Sequence, residues 1–264
     1  MSRQIKELED EIGKKLFIRS NKKIILTEEG LLLRQRAEEI VNLVNKTEAE
    51  LSSTDEFITG EIYIGAGEAR SLKIINKVIK KMQQKYPAVT FHIHSGNAPD
   101  ILYKIDNGCI DFGILTDHPK ILDYNYEKLP CTHQWGVLMR KEDLLAKKTE
   151  ITLEDLKEKP LIVSKEIENN RDLIRWFDND LENCNIIASY NLLFNASLMV
   201  EDEIGYAICF DHLIDTSCES LLCYRPLAPR LEVSSYVIWK KYEVLNKASK
   251  CFLEILEDVM NEHK

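Results

Sequence analysis

His92 and His94 stand two apart in Val89-Thr90-Phe91-His92-Ile93-His94, a β-prone run, so their imidazoles share one face of a strand. Two imidazoles on one face can hold a transition metal when a third ligand joins them. No cysteine or acid stands at ligand spacing beside them, so a surface pair is the favoured reading. The seven cysteines are scattered, with no CxxC pair and no zinc spacing. Cys209 ends an apolar strand, where an inert buried thiol is expected; redox sensing would need a cation or a helix end to lower its pKa. Cys218 and Cys223 flank an expected loop, and the sequence leaves their geometry open. No Ser-His-Asp elbow, phosphate loop or glycine-rich dinucleotide signature is present. Gly65-Ala66-Gly67 lacks the third glycine, and Met82, Met139 and Met199 fall at core spacing. The chain is expected to be no enzyme, to use no cofactor and to hold no metal.

The elements that carry these residues are those of a folded protein with a sizeable core. Hydrophobic residues make up 44% of 264, and no apolar run approaches the roughly 20 residues of a membrane helix. Met1-Ser2-Arg3-Gln4-Ile5-Lys6 has no apolar stretch of a signal peptide. An odd number of unpatterned cysteines suits a reducing compartment, and a cytoplasmic protein is expected. The net charge of −9 argues against whole-surface binding to nucleic acid. Residues 1–23 differ: seven cations (Arg3, Lys6, Lys14, Lys15, Arg19, Lys22, Lys23) face four acids. A basic end of this kind can touch phosphate, although a solvated charged helix has the same composition.

Ile5, Leu8 and Ile12 recur at helical spacing before Gly13, which predicts a helix over about 2–12. Two β-prone pieces flank Ser20-Asn21-Lys22-Lys23, which predicts a small hairpin within 18–26. A helix followed by a basic hairpin is a winged-helix pattern, able to set a helix in a major groove and a wing on the backbone. Thr27 is a good N-cap, and Glu28 and Glu29 complement the positive end of a helix running to about Ser52. Along it Leu33, Ala37, Ile40, Val44, Thr47 and Leu51 are spaced 4, 3, 4, 3, 4, an a/d seam with flanking charges. A helix of about 25 residues is about 38 Å long, and few neighbouring residues could cover so long a stripe. A second copy of the chain is the favoured cover; packing on the chain's own core is the alternative.

Ser2-Arg3-Gln4-Ile5-x-x-Leu8-Glu9-x-x-x-Gly13-x-x-Leu16-Phe17-x-Arg19, followed by Leu26-Thr27-Glu28-x-Gly30, resembles the end of the DNA-binding domain of the LysR-type transcription regulators. The resemblance implies that Ser2, Arg3, Gln4 and Lys6 lie on a recognition helix and Arg19, Lys22 and Lys23 in a wing. Gln4 or Arg3 could read base edges, while Ser2, Lys6 and the wing cations would position phosphates. Members of that family carry further helices ahead of this point. The chain is therefore expected to hold only part of a winged helix-turn-helix, and its binding of double-stranded DNA to need the earlier helices.

Beyond Thr54-Asp55-Glu56 strands and helices alternate. Strands are expected near 61–66, 89–94 and 110–115, with helices over about 70–86 and 98–107 between them. This βαβαβ order implies a parallel sheet with helices on both faces. The pattern repeats loosely, with strands at 135–139, 161–164, 186–190, 205–209 and 236–239, a capped turn at Thr152-Leu153-Glu154-Asp155-Leu156 and a closing helix over about 243–262. Two α/β lobes are the economical reading, with ligands at the C-terminal ends of strands.

The family resemblance continues through Gly60-x-Ile62-x-Ile64-Gly65, Tyr86-Pro87, Gly108-x-x-Asp111 and Ile204-Gly205-Tyr206-Ala207, and so spans nearly the whole chain. It implies a periplasmic-binding-protein-like effector domain over 57–264, after a partial winged helix-turn-helix at 1–26 and a linker and dimerisation helix with hinge at 27–56. Lobe I would take about 57–132 and 237–264, and lobe II about 133–236, with crossings near 125–137 and 225–240. It also implies an interlobe effector site lined by Gly67, Glu68 and Ala69, by Ser95, Gly96 and Asn97, by Thr116, and by Ser164 and Asn195. Such short polar groups suit a small polar or anionic ligand. Glu68 departs from the small hydroxyl residue common there: it could repel a carboxylate, recruit an amine or point to solvent. The function expected is a ligand-responsive regulator, homodimeric or homotetrameric, with no membrane partner. A solute-binding protein of the same fold, or a regulator that binds ligand but not DNA, are the alternatives.

Overall fold

The computed structural model describes residues 3–20, 23–52, 58–242 and 244–262, and falls into two compact units, 1–53 and 54–264. In the first unit, helix α1 (Arg3–Ile12) ends at Gly13, whose φ of +72° suits a residue without Cβ. Strands β1 (Phe17–Ser20) and β2 (Lys23–Leu26) pair antiparallel, with Phe17 opposite Leu26 and Arg19 opposite Ile24. Helix α2 (Glu28–Ser52) is a single rod of 25 residues. Its N-terminus is capped as the sequence suggests, since Thr27 Oγ1 accepts from the Gly30 amide at 2.9 Å. Gly30 lies so close to the hairpin that a Cβ there would collide with the Leu16 carbonyl oxygen.

Periodicity gives no hint of the buried Glu9. Its carboxylate accepts from the backbone amides of Leu16 (2.8 Å) and Phe17 (3.3 Å) and pairs with Lys15 Nζ at 3.0 Å. This ties α1 to β1 through one side chain. The Leu16 amide first, then Lys15 and Phe17, hold the carboxyl below its ordinary value of 4.5 against burial, which pushes it up. A folded-state pKa below the unfolded one gives stability that is present above the unfolded pKa and lost as pH falls through the folded one. The Leu16 amide proton, followed by NMR, is expected to keep its downfield, protected signature at neutral pH and to lose it on acidification past the ordinary carboxylate range. In Glu9→Gln that pH dependence should vanish; a wild-type amide indifferent to acid would remove the tie.

The second unit is built on one mixed sheet, ordered β4-β3-β5-β11-β6-β9-β7-β8, with β10 paired to β6. Its elements run β3 (Gly60–Ala66), α3 (Leu72–Lys85), β4 (Val89–Ser95), α4 (Ala98–Asp106), β5 (Phe112–Thr116) and β6 (Asn125–Arg140). There follow α5 (Leu153–Leu156), β7 (Leu161–Ser164), α6 (Arg171–Trp176), β8 (Ile186–Tyr190), α7 (Leu193–Glu201), β9 (Tyr206–Phe210), β10 (Leu222–Pro226), β11 (Glu232–Trp239) and α8 (Lys247–Asn261). In the first lobe β4, β3 and β5 are parallel and β11 runs antiparallel to β5. α3 and α8 cover one sheet face through Ile75, Val78, Met82, Phe252 and Leu256, packed on Ile62, Ile64 and Phe112. α4 covers the other face through Ile101, Leu102 and Ile105. The second lobe repeats this sandwich. Trp135, Val137, Met139, Val163, Phe177 and Ile208 fill one side, while α7 packs Leu193, Ala196 and Val200 on Leu138, Ile162 and Ala207 on the other. Successive residues 137, 138 and 139 thus feed opposite cores, as the strand period of two requires.

Two features differ from the periodicity. β6 begins at Asn125 rather than Trp135. Residues 125–134 pair with β11, and residues 135–140 pair with β9 and β10. The first stretch is polar and contains Pro130, opposite a register shift between Ser234 and Tyr236. A proline is tolerated where the ladder is already irregular. β10 also escapes the pattern. Between β6 and β11, the buried His133 Nε2 meets Ser235 Oγ at 2.9 Å. Burial lowers the His133 pKa, against the pull of Asp211, so the ring is neutral at pH 7. Among the described residues no helix is long and apolar enough to cross a membrane.

Candidate functional site

The C-terminal ends of the parallel strands of both lobes converge on one cavity of about 140 Å³. Gly67, Glu68, Ala69 and Ser71 reach it after β3, Gly96, Asn97 and Ala98 after β4, and Thr116, Asp117 and His118 at the end of β5. From the second lobe Ser164, Glu166, Asn169 and Asn170 follow β7, Asn191, Leu192 and Leu193 follow β8, and Leu213 follows β9. Trp135 and Phe210 form an aromatic wall, their ring centroids 4.2 Å apart, and Tyr190 adds a third ring whose hydroxyl donates to the Ile208 carbonyl at 2.7 Å. Strand ends gather here because the polypeptide must turn at each of them, exposing amides and short polar side chains that regular pairing would consume.

Two side-chain bridges cross from lobe to lobe. The Glu68 carboxylate accepts from the backbone N–H of Leu193, the first residue of α7. Asn97 Nδ2 donates to Glu166 Oε1 at 3.2 Å, while Glu166 Oε2 takes Asn169 Nδ2 at 2.7 Å. Asn97 also caps α4, its Oδ1 accepting from the Asp100 amide at 3.3 Å. Asp117 is held by the Ser234 amide at 2.8 Å. Burial pulls the His118 pKa below 6.5, partly opposed by Glu166, so this imidazole is neutral at pH 7.

Of the positions inferred from sequence, Gly67, Glu68, Ala69, Gly96, Asn97, Thr116 and Ser164 line this cavity. Ser95 and Asn195 do not. Ser95 is exposed at the last position of β4, and Asn195 lies on the exposed side of α7, which presents only Leu193 to the cleft. Glu68 is half-buried and holds the start of α7 through the Leu193 amide. The sequence reasoning missed Ser71, Asp117, His118, Glu166 and the three rings. Asp117, His118 and Glu166 were accessible to it, standing two or three residues beyond the strand ends it had found. Trp135 was not, since the pattern placed a strand beginning there.

In the first unit Arg3, Gln4 and Lys6 are exposed on α1, and Arg3 Nε pairs with Glu7 Oε1 at 2.8 Å. Ser2 and Lys22 lie outside the described residues, as do the side chains of Arg19, Lys23 and Leu51. On α2, Ala37, Ile40, Val44 and Thr47 are exposed and Leu33 is half-buried. Leu31, Leu32, Val41 and Leu43 are exposed as well, so the apolar surface is broader than an a/d seam. His92 Nε2 lies 3.6 Å from Glu61 and its ring stacks on Tyr63, while His94 Nε2 meets Asp100 at 2.5 Å. Among the described residues no three His, Cys, Asp or Glu side chains are placed to hold a metal ion. Burial drives the Cys209 and Cys223 thiol pKa values up, which keeps both protonated.

Residues 56–261 match the LysR substrate binding domain family, and residues 1–31 match the bacterial regulatory helix-turn-helix proteins of the lysR family. The chain belongs to the LysR family. It is 22% identical over 263 residues to the uncharacterized HTH-type transcriptional regulator YfeR of Shigella flexneri, covering 99% of this chain and 85% of that protein. It is 31% identical over 168 residues to the HTH-type transcriptional regulator CysB of Haemophilus influenzae, covering 61% of this chain but only 50% of that protein. Among solved structures, full-length CbnR complexed with its target DNA superimposes with a TM-score of 0.71 at 14% identity, covering 97% of this chain and 88% of that one. These LysR relatives are transcriptional regulators rather than enzymes. The LysR effector-domain fold, two α/β lobes on shared strands, is the fold of the second unit.

Proposed function

We propose that the chain acts in the cytoplasm as a homodimeric, ligand-responsive transcription regulator. Its first unit, together with the helices that precede this segment in the family, contacts double-stranded DNA, and its second unit binds a small-molecule effector between the lobes. The observation that carries this reading is the cavity itself, walled by both lobes and already bridged across them. A ligand seated there touches both lobes at once, so its binding energy depends on their angle, and that dependence is what a regulator transmits. The family match over 1–31, the basic character of that segment and the exposed Arg3, Gln4 and Lys6 support the DNA contact. The uncovered stripe on α2 supports self-association. The seven cysteines are all free, in keeping with a reducing compartment.

The test couples two measurements on the full chain. A thermal-shift screen of metabolites finds compounds that stabilise the second unit, and a gel shift on DNA upstream of the chain's own gene is run with and without each hit. Coupling of about 1–3 kcal/mol predicts a change of roughly 5–150-fold in DNA affinity. Hits that stabilise the fold but leave DNA affinity untouched would count against regulation. On the DNA side, Lys6→Ala is expected to weaken binding evenly across sequences and to reduce the slope of log K against log salt by about 1. An unchanged slope would take Lys6 off the phosphates.

A further inference from the structure

The cleft carries three carboxylates, Glu68, Asp117 and Glu166, and no lysine or arginine among its described lining residues. Arg70 and Lys165 sit between lining residues in sequence, but both are exposed and neither lines the cavity. The one ring that could carry positive charge, His118, is kept neutral by burial. The N-terminus of α7, nine residues long, would be a natural seat for an anionic ligand group, but Glu68 already occupies it from the opposite lobe. An anion entering this cleft would meet repulsion and find its best helix end taken.

A second, independent feature adjoins the cavity. Trp135 and Ser71 are among its lining residues, are 5% and 0% exposed, and their indole N–H and hydroxyl have no hydrogen-bond partner among the described residues. Buried polar groups without a partner are uncommon and costly, and a small shift of either side chain on binding would let a ligand satisfy them. Trp135, Phe210 and Tyr190 line the cavity, and aromatic rings attract a cation as well as an apolar body. A cavity near 150 Å³ accommodates a molecule about the size of benzene, so 140 Å³ selects a compact ligand.

Resting on the effector-cleft reading above, we propose that the ligand is a compact organic cation, an amine with a small apolar body, and not a carboxylate or another anion. The ammonium group sits among Glu68, Asp117 and Glu166, and the apolar body lies against Trp135 and Phe210. Ligand specificity at this cleft is therefore opposite in sign to what its short polar strand ends alone suggest.

Three probes of one skeleton, benzylamine, benzyl alcohol and benzoate, separate the possibilities by calorimetry and Trp fluorescence on the full chain. Benzylamine is expected to bind at least tenfold more tightly than benzoate, with benzyl alcohol between them. Glu166→Gln and Glu68→Gln, which keep shape and lose charge, should each weaken benzylamine at least fivefold more than they weaken benzyl alcohol, the neutral probe reading any loss of the interlobe bridges. Benzoate binding as tightly as benzylamine overturns the cation and leaves the cleft reading standing. Benzylamine binding that ignores both glutamine variants overturns it too, since the carboxylates then do not read the charge. Failure of all three probes to bind sinks the cation proposal and the compact-ligand cleft together.

Discussion

The Ile40→Asp, Val44→Asp double variant is expected to elute from a sizing column as a monomer under conditions where the unaltered chain elutes as a dimer. Ile40 and Val44 are 62% and 49% exposed, far from the near-complete burial of apolar residues on helices α3 and α8. Leu31, Leu32, Val41 and Leu43 are likewise exposed, giving α2 a long apolar surface that the first unit by itself leaves uncovered. Surfaces of that extent on soluble proteins mark association sites. Flanking pairs such as Arg34 with Glu38 and Arg36 with Glu39 keep the rest of the helix polar. Two aspartates per chain place four unpaired charges in a dimer seam, and each costs several kcal/mol when buried without a partner. Even about 5 kcal/mol in total raises the dissociation constant by roughly three to four powers of ten. Aspartate costs an α-helix only a few tenths of a kcal/mol per residue, so far-UV circular dichroism should be nearly unchanged. That separates loss of partner from loss of fold. A variant that still elutes as a dimer would move the interface off this stripe.

The helices and buried strands were legible in the sequence because each satisfies one period. Ile75, Val78 and Met82 mark α3, and Thr27 with Glu28 and Glu29 marks the start of α2. The strands Leu161-Ile162-Val163 and Ala207-Ile208-Cys209 are apolar on consecutive residues because both faces are covered. The first half of β6 was not legible, because its partner on one side is β11 and its irregular register admits Pro130. Long-range pairing decides such a strand, and no local window contains it. The same holds for the buried His133, whose partner Ser235 is distant in sequence, while Glu9 escaped for another reason: its partners are backbone amides, which carry no side-chain signal. The cleft was half legible. The family resemblance placed Gly67, Glu68, Gly96, Asn97 and Thr116 at the ends of β3, β4 and β5, but the bridge from Glu68 to Leu193 joins residues 125 apart in sequence. A residue's chemical type can be read locally. Its partner, and hence the sign of the site's charge, cannot.

Phe112→Ala should lower the stability of the second unit by about 3–5 kcal/mol, as expected for deleting a fully buried aromatic side chain. The Phe112 ring is 0% exposed, stacks on Phe252 with centroids 4.6 Å apart and meets the edge of Trp239 at 6.3 Å. It therefore joins the central strand β5 to the closing helix α8 and to β11, one of the strands shared between the lobes. Against a typical total of about 5–15 kcal/mol, the loss is a large fraction of what holds a domain folded. Urea unfolding followed by Trp fluorescence measures it, with Phe112→Leu as a control that retains most of the apolar volume and should lose far less. An unmoved midpoint would refute the packing. The number of transitions carries further information. The two lobes have separate cores, around Phe112 and around Trp135, but β6 and β11 pair along the path between them. If those strands couple the lobes, Phe112→Ala shifts one cooperative transition for the whole unit. If they act only as hinges, the first lobe melts early and the second keeps its own midpoint. Effector coupling needs the former at rest and some of the latter on binding, because a cleft whose lobes cannot move independently has no angle for a ligand to select.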